Sequence, residues 1–348
     1  MAVIDADTHV DESESTWEWL EGALARYTPT TMMPPIEAIE HAGMDAHRSR
    51  FWFVEGRLQT RAVRDDEHHP AQARRELDDL EGRLEDMDRM GVDVQVIFPT
   101  FFIRYIALNP EPEAALASAY NRWVAEKCGQ TGGRIRWAAV LPWLDPDASV
   151  RELRWAKENG ACGIFKRGLD LLKPVGDRHF FPVYEAANDL DMPLCIHTGH
   201  PGSGGDRGFP IMDAFLSVVR SKLPSRFPNL RFGFIEAGAS WIPYVLSQIA
   251  MVERSDTLHE RRVALETSRN LFRDNRLYVS IDPVDDVEYL LTLGTEDNLM
   301  IGTDYSHSDI SANISALGEV RRWADSGMIS NEAAGKILEE NPMRFYGL

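Results

Sequence analysis

The sequence predicts an α/β fold, a (β/α)8 TIM barrel, from two observations. Short apolar runs bounded by Gly, Thr and Asp, which are typical of buried parallel strands, alternate with helical segments. Acid or imidazole side chains directly follow the first, a middle and the last of these runs. Because a strand end presents its side chains to the space above the sheet, a closed barrel is the simplest geometry that brings the first and last strands together.

Eight segments are predicted as the barrel strands. Eight strands that alternate with helices favour a barrel over an open doubly wound sheet. Apolar residues at helical spacing also predict a helix over 76–90, which ends before Gly91. In chain order the predicted strands are Val3–Asp7, Asp93–Phe98, Arg136–Leu141, Gly163–Lys166, Leu194–His197, Arg231–Glu236, Leu277–Ile281 and Leu299–Thr303.

The connection after the first strand, residues 10–72, is unusually long. Connections of this length are usually functional or disordered, and its five tryptophan and phenylalanine side chains argue against disorder. As the first strand-to-helix connection it would lie on the catalytic face. We therefore expect a lid or pocket wall within one single domain spanning 1–348, with an arm for subunit contacts as the alternative. The tryptophans and phenylalanines of this connection are Trp17, Trp19, Phe51, Trp52 and Phe53.

The composition is that of an ordinary globular protein with a strong negative charge. The formal net charge of −18 disfavours nucleic acid and anionic membrane surfaces as partners, because the summed field repels phosphate. The three cysteines form no CxxC pair and fit a reducing cytoplasm. No signal peptide is expected before the first strand, and no apolar stretch approaches the roughly 18 residues that span a bilayer. We therefore expect a cytoplasmic protein that acts on a small molecule.

Four side chains at strand ends form a candidate metal site. Asp7 and His9 are two residues apart in the first strand, so both face the same side and can reach one ion. His197 ends the fifth strand, and Asp304 follows the eighth. Two carboxylates and two imidazoles bind a divalent ion and leave room for water. His200, in the loop after the fifth strand, is better placed for substrate than for metal, with a surface histidine as the alternative.

The motifs IDADTHV, CIHTGH and IGTDYSHSD, with the terminal ENPMRFYGL, resemble the amidohydrolase superfamily over nearly the whole chain. They are most similar to the branch of aminocarboxymuconate-semialdehyde decarboxylase and the resorcylate and carboxyvanillate decarboxylases. The resemblance implies a distorted (β/α)8 barrel, a homodimer and one divalent metal ion. Zinc is the first choice, and the two carboxylates make manganese or iron(II) alternatives. The ligands that the resemblance implies are Asp7, His9, His197 and Asp304.

On the sixth strand the sequence departs from that branch, because Glu236 stands where the decarboxylases carry a histidine. A carboxylate supplies no imidazolium character near neutral pH, which makes protonation of a ring carbon harder than proton abstraction from water. This favours hydrolysis, with Asp304 as general base for a metal-activated water and Glu236 or His200 assisting. The alternative for Glu236 is a structural salt bridge below the pocket.

Lys166, at the end of the fourth strand, is a further catalytic candidate. A divalent ion with Asp7 and Asp304 sums to zero charge, Glu236 adds one negative charge, and Lys166 would neutralise it. We expect Lys166 to hold a substrate carbonyl or carboxylate, or to act only as a counter-ion.

Aromatic side chains cluster where the pocket should open, and they predict a bulky apolar substrate. Packing at the barrel rim is the alternative for them. Arg104 and Tyr105 could hold a phosphate or carboxylate end of the substrate. The aromatic candidates are Trp17, Trp19, Phe101, Phe102 and Trp143.

These observations predict a metal-dependent hydrolase that attacks an acyl carbon of an ester, a lactone or a thioester such as an acyl-coenzyme A. The thioester preference comes from resemblance to thioesterases of natural-product pathways. The alternative is a lyase, the non-oxidative decarboxylase of an aromatic or unsaturated acid. A third hypothesis is a barrel that has lost catalysis and serves as a binding protein.

Overall fold

The computed structural model of the chain describes residues 2–33, 35, 37, 50–61, 64, 66–170, 172–198, 208–252, 270–307 and 312–348. Its strands are, in chain order, β1 (Ile4–Val10), β2 (Thr30–Met32), β3 (Arg50–Val54), β4 (Arg57–Arg61), β5 (Val94–Pro99), β6 (Ile135–Val140), β7 (Ala161–Arg167), β8 (Leu169–Asp170), β9 (Lys173–Pro174), β10 (Leu194–His197), β11 (Phe232–Ile235), β12 (Leu277–Ile281) and β13 (Leu299–Ile301).

Eight of these strands form one parallel sheet in the order β1-β5-β6-β7-β10-β11-β12-β13. Each barrel strand therefore pairs with the next one along the chain. The last strand returns to the first, since the Asp304 amide donates to the Asp7 carbonyl across 2.9 Å and the His9 amide to the Tyr305 carbonyl across 2.8 Å. Every residue of β1 and β7 is buried, as expected for strands covered on both faces. The predicted (β/α)8 barrel is thereby confirmed.

Helices connect the barrel strands. The predicted helix before Gly91 begins at Leu80, where the Asp79 carboxylate accepts a hydrogen bond from the Gly82 amide, and Gly91 ends it at φ 67°. The helices are α1 (Gln72–Arg75), α2 (Leu80–Met90), α3 (Pro110–Gly129), α4 (Pro146–Glu158), α5 (Phe181–Asp189), α6 (Gly208–Arg220), α7 (Leu223–Arg226), α8 (Ile242–Val252), α9 (Leu271–Asp274), α10 (Val287–Leu291), α11 (Ala316–Asp325), α12 (Asn331–Gly335) and α13 (Asn341–Tyr346). Short 3-10 helices cover Glu14–Trp19, Gly22–Tyr27, Phe101–Ile103 and Arg178–Phe180, and a π-helix covers Lys336–Glu340.

The long connection after β1 carries the two 3-10 helices Glu14–Trp19 and Gly22–Tyr27 and the antiparallel sheet β2-β3-β4. Trp17 joins it to the barrel, since its ring lies 4.8 Å from Phe101, which follows β5, and 6.1 Å from Trp52 on β3. The role of this segment as a lid or pocket wall stays a prediction. Within the described ranges, no helix is long and apolar enough to cross a membrane.

Candidate metal centre

Six buried or nearly buried side chains converge at the carboxyl ends of four barrel strands. Two come from β1 and one ends β10, and the other three follow β11 and β13. Among the described residues, the structure brings Asp7, His9 and His197 together with Glu236, and a second set that shares His9 and Glu236 contains Asp304 and His307. The six residues are Asp7, His9, His197, Glu236, Asp304 and His307.

His9 and His197 point their Nε2 atoms at each other across 3.1 Å. The Nδ1 atom of each ring contacts a backbone carbonyl, that of Pro99 at 3.2 Å and that of Thr198 at 2.9 Å. A carbonyl oxygen only accepts hydrogen bonds, so each Nδ1 carries a proton, and each ring in its neutral form presents a lone pair at Nε2. Two facing lone pairs need a positive charge between them.

Carboxylates surround the same point. Asp7 Oδ1 lies 3.6 Å from both Nε2 atoms, and Asp304 Oδ1 lies 3.5 Å from that of His9. Asp7 Oδ1 is buried and accepts no hydrogen bond from the described residues. Ligand atoms about 2.1 Å from one ion stand roughly 3.0–3.4 Å apart in tetrahedral or octahedral geometry. The separations of 3.1, 3.5 and 3.6 Å in this cluster lie within a few tenths of an ångström of that range, so the residues present fit a divalent metal ion.

A single proton satisfies this cluster less well than a metal ion. Burial lowers the pKa of His197, but the Glu236 and Asp7 carboxylates outweigh it and raise this pKa to about 9. A proton on His197 Nε2 faces two acceptors at 3.1 Å, His9 Nε2 and Glu236 Oε2, and can bond well to one of them. Burial and the Asp304 carboxylate raise the pKa of Glu236 to about 8. The part of both shifts that comes from neighbouring carboxylates reflects a concentration of negative charge, which a divalent cation would offset.

The backbone adopts left-handed conformations where it presents the carboxylates. Glu236 has φ 60°, Asp304 has φ 52° and Ser306 has φ 90°. Such conformations are uncommon outside glycine and cost on the order of 1 kcal/mol each, so they persist where the surroundings hold them in place. Here the Ser306 hydroxyl donates to the His9 carbonyl across 2.9 Å.

His307 is a site residue that sequence reasoning missed. Its Nδ1 lies 2.8 Å from Asp304 Oδ1, its Nε2 lies 3.0 Å from the Thr100 hydroxyl, and its ring stacks on His9 at 3.8 Å. The available signal was the single histidine of the motif IGTDYSHSD, three residues after Asp304. The turn that brings it back to the site is not encoded in hydrophobic periodicity.

Within the described part of the chain, Asp304 lines two cavities. One, of about 350 Å³, lies between the ends of β11, β12 and β13 and is lined by Asp7, Glu236 and Asp282 among others. The second, of about 560 Å³, is lined by His307 and by His69 of the long connection. Both volumes lie in the range of small-molecule pockets.

Lys166 lies in a buried ion-pair network beside the barrel. Its ammonium contacts Asp170 Oδ2 at 2.6 Å, and Arg167 contacts the other oxygen of that carboxylate at 2.6 Å. The ammonium also lies 4.2 Å from the Trp143 ring centre and 3.7 Å from that of Phe180. The structure therefore pairs Lys166 with Asp170. The charge count had Lys166 neutralise the carboxylates of the metal site instead.

Most of the predicted aromatic substrate contacts pack against one another. Trp17, Phe101, Phe102 and Trp143 are buried, and the rings of Phe101 and Phe102 lie 5.2 Å apart. Trp19 is exposed. The rings of Trp17, Phe101 and Phe102 attach the long connection to the barrel rim. A contact of these aromatic residues with a substrate stays a prediction.

The remaining predicted contacts differ in their placement. Arg104 is exposed, and Tyr105 donates its hydroxyl proton to the Leu169 carbonyl across 2.7 Å. The Arg167 guanidinium lies 4.5 Å from the Tyr105 ring centre. His200 lies outside the described residues.

Comparison with known proteins identifies the family. The sequence profile of the amidohydrolase family matches residues 4–348. The chain belongs to this family. The amidohydrolase is similar to gamma-resorcylate decarboxylase of Rhodococcus jostii (strain RHA1), at 24% identity over 311 residues, which cover 78% of this chain and 88% of that protein.

Two further curated relatives support the predicted branch. A 2-amino-3-carboxymuconate-6-semialdehyde decarboxylase of Dictyostelium discoideum is 25% identical over 66% of this amidohydrolase and 68% of its own length. A 2-keto-4-carboxy-3-hexenedioate hydratase of Sphingobium sp. (strain NBRC 103272 / SYK-6) is 24% identical over 72% and 67%. Thioester hydrolysis finds no support in these relatives.

Solved structures share the fold. An amidohydrolase of Mycobacterium avium subsp. paratuberculosis K-10 superposes with a TM-score of 0.78 at 18% identity, covering 99% of both chains. A dihydroxybenzoic acid decarboxylase of Polaromonas sp. JS666, with bound manganese and the inhibitor 2-nitroresorcinol, gives a TM-score of 0.65 at 19% identity over 100% of this chain and 97% of that one.

Proposed function

We propose that this amidohydrolase is a metal-dependent lyase that removes CO₂ from an aromatic or unsaturated carboxylic acid. Two of the curated relatives are decarboxylases and the third is a hydratase, and all three are named for carboxylic acids. The hydrolysis expected from the sequence thus becomes the second candidate. A divalent ion at the site would supply electrophilic stabilisation of negative charge on the substrate.

The observation that carries the lyase proposal is the position of His307. The sequence favours hydrolysis because Glu236 stands where the decarboxylases of the predicted branch carry a histidine on the sixth strand. His307 supplies an imidazole from the eighth strand instead, with Nδ1 2.8 Å from Asp304 Oδ1. Because His307 also lines the 560 Å³ cavity, its imidazole can hold a proton at the edge of that space and deliver it to the substrate carbon.

The same cavity has the donors that an acid needs. The chain carries a formal charge of −18, so a carboxylate substrate requires local attraction. Four side chains with hydrogen-bond donors line the cavity together with His307, and they are His68, His69, Arg89 and Asn313. The carboxylates of Glu67, Asp86 and Asp304 line it too, and Arg89 pairs with Asp86. The exposed Arg104 remains a candidate for a more distant anionic group of the substrate.

Hydrolysis remains the second candidate because Glu236 is brought to the ion site. In that reaction Asp304 would accept the proton of water, with Glu236 or His200 assisting. Lys166 would contribute by supporting the fourth strand, since its ammonium binds Asp170.

The experiment offers the metal-loaded protein a panel of hydroxybenzoates and unsaturated dicarboxylates in D₂O, beside acyl-coenzyme A analogues. The proposal expects CO₂ and one deuterium at the carbon that lost it. Free thiol or a new acid without CO₂ would establish hydrolysis and overturn the lyase proposal. Loss of substrate conjugation without CO₂ would indicate a hydratase.

Two variants test the role of His307. His307→Phe keeps a ring that can stack on His9 but removes both nitrogens, so we expect decarboxylation by the metal-saturated protein to fall about 100-fold or more. His179→Phe is the matched control, because His179 binds the Trp143 carbonyl at 2.8 Å away from the cluster. Equal activity of the two variants would remove His307 from the mechanism.

A further inference from the structure

We propose that Glu236 binds the metal ion directly, as a fifth ligand besides the four predicted ones. We further propose that this ligand lowers the ratio of zinc affinity to manganese affinity at the site. The inference concerns the ion and holds whether the reaction is a decarboxylation or a hydrolysis.

The geometry of the cluster places Glu236 among the ligands. Its Oε2 lies 3.1 Å from His197 Nε2 and 3.9 Å from His9 Nε2. The corresponding distances for the predicted carboxylates are similar. Asp7 Oδ1 lies 3.6 Å from both Nε2 atoms, and Asp304 Oδ1 lies 3.5 Å from His9 Nε2. Glu236 is therefore as close to the common centre as the predicted carboxylates are.

The backbone after β11 holds Glu236 in this position. Glu236 and Gly238 both have left-handed conformations, at φ 60° and 59°. The Asp285 carboxylate accepts hydrogen bonds from the Ala239 amide at 2.8 Å and the Ser240 amide at 3.0 Å, which fixes the turn. A strained residue followed by a turn that hydrogen bonds hold in place is typical of a position where the fold must fix a side chain.

The charges around Glu236 also support direct binding to the ion. Lys166, the cation expected to offset Glu236, contacts Asp170 at 2.6 Å. A buried carboxylate requires a compensating positive charge, and an ion between the two imidazoles would provide one. Direct ligation of the ion by Glu236 meets this requirement.

A fifth ligand of this type alters which ions the site favours. Zinc sites are mostly four-coordinate with nitrogen or sulfur ligands, whereas manganese accepts more ligands and prefers oxygen. Three carboxylates with two imidazoles therefore favour manganese more than a four-ligand set does. Zinc binds more tightly than manganese to most sites, so the expected effect is a reduced preference rather than a reversed one.

The test measures manganese and zinc affinities by competition dialysis for the wild-type chain, Glu236→Gln and Glu236→His. We expect Glu236→Gln to weaken manganese binding at least about tenfold and zinc binding less, because an amide oxygen is a poor ligand. Glu236→His should raise the ratio of zinc to manganese affinity by about tenfold or more. Glu113→Gln is the matched control, a buried glutamate whose carboxylate accepts from the Leu144 amide at 2.7 Å.

Manganese affinity of Glu236→Gln equal to that of the wild-type and Glu113→Gln proteins would overturn the proposal. Should the variants fail to fold, a crystal of the wild-type protein with manganese decides the matter. An anomalous peak with a Glu236 oxygen within about 2.3 Å supports ligation. A peak bound by the other four residues, with Glu236 beyond reach, refutes it.

Discussion

Arg83 donates a 3.0 Å hydrogen bond from its guanidinium to the backbone carbonyl of His9. The arginine is fully buried, and its Nε donates to the Gln95 side chain at 3.0 Å. Its guanidinium also lies 4.6 Å from the ring centre of Tyr305, which follows the last barrel strand. One cation on helix α2 therefore holds the backbone of a predicted ligand against the seam where the barrel closes.

Replacing Arg83 should weaken both the fold and metal binding. Arg83→Met leaves the His9 carbonyl and the Gln95 amide oxygen without this donor, so we expect a loss of about 2–4 kcal/mol in the free energy of unfolding. Metal affinity should fall as the His9 ring loses its fixed position. Urea unfolding and metal titration measure the two effects, with the exposed Arg322→Met as control. Unchanged metal affinity in a folded Arg83→Met protein would show that Arg83 contributes to stability and not to metal binding.

Gly302 leaves room for Asp7 where the last strand passes the first. A Cβ atom on Gly302 would lie 2.8 Å from the backbone nitrogen and oxygen of Asp7, and closer still to its Cβ. Gly302→Ala should therefore displace Asp7, lower metal affinity and cost about 1–3 kcal/mol of stability. Calorimetric metal titration and urea unfolding provide the measurements.

A second glycine serves as the control for this prediction. Gly318 lies inside helix α11, and a Cβ there would meet nothing within 4 Å. Gly318→Ala should leave metal affinity unchanged and raise stability by up to about 1 kcal/mol. If both variants bind metal like the wild type, Asp7 does not depend on the close approach at Gly302.

Removing the metal ion should destabilise the protein. Without a cation the Asp7 and Asp304 carboxylates repel each other and the two facing imidazoles lose their common partner. An ion present at about 1,000 times its dissociation constant adds about 4 kcal/mol to the free energy of unfolding. Melting temperatures with and without a chelator, and with metal added back, measure this contribution. Asp7→Asn should lose most of the metal-dependent increment, and a full increment in that variant would contradict the assignment of Asp7 as a ligand.

Much of this centre could be predicted from the sequence, because strand periodicity fixes side-chain direction. Asp7 and His9 share a face of β1 by their two-residue spacing, and His197 ends a short apolar strand. The closed order of the barrel then places the last strand beside the first, which brings Asp304 to the same point. These steps need only local pattern and one topological rule.

The rest depended on irregular backbone and on tertiary pairing. His307 returns to the site through a turn with positive φ at Asp304 and Ser306, which no periodicity encodes. Lys166 pairs with Asp170 because the chain after β7 turns back as the hairpin β8-β9. A strand-end lysine alone does not reveal which carboxylate the following loop will supply.

The aromatic residues show a different limit. Burial of Trp17 and Phe101 against each other satisfies the same hydrophobic tendency that would line a pocket. Composition therefore identifies an apolar cluster near the barrel rim but not whether a ligand or another ring fills it. That choice depends on how the long connection folds onto the barrel.

Glu113 should make stability depend on pH. Burial raises the pKa of this glutamate on helix α3 to about 7, although the Leu144 amide donates to it. The folded state therefore holds a proton that the unfolded state, with a pKa near its ordinary value of 4.5, releases earlier. The stability contributed by this group is complete below pH 4.5 and is lost as the pH rises to about 7, by on the order of 3 kcal/mol in total.

Glu113→Gln isolates this contribution from the other buried acids. Its amide oxygen can still accept from Leu144, but it carries no titrating proton. We expect urea midpoints measured between pH 4.5 and 8 to fall less steeply for Glu113→Gln than for the wild-type protein, so that the variant is the more stable of the two at pH 8. Glu126→Gln, on the exposed face of the same helix, should follow the wild-type curve. Parallel curves for wild type and Glu113→Gln would show that Glu113 is ionised in the folded protein throughout this range.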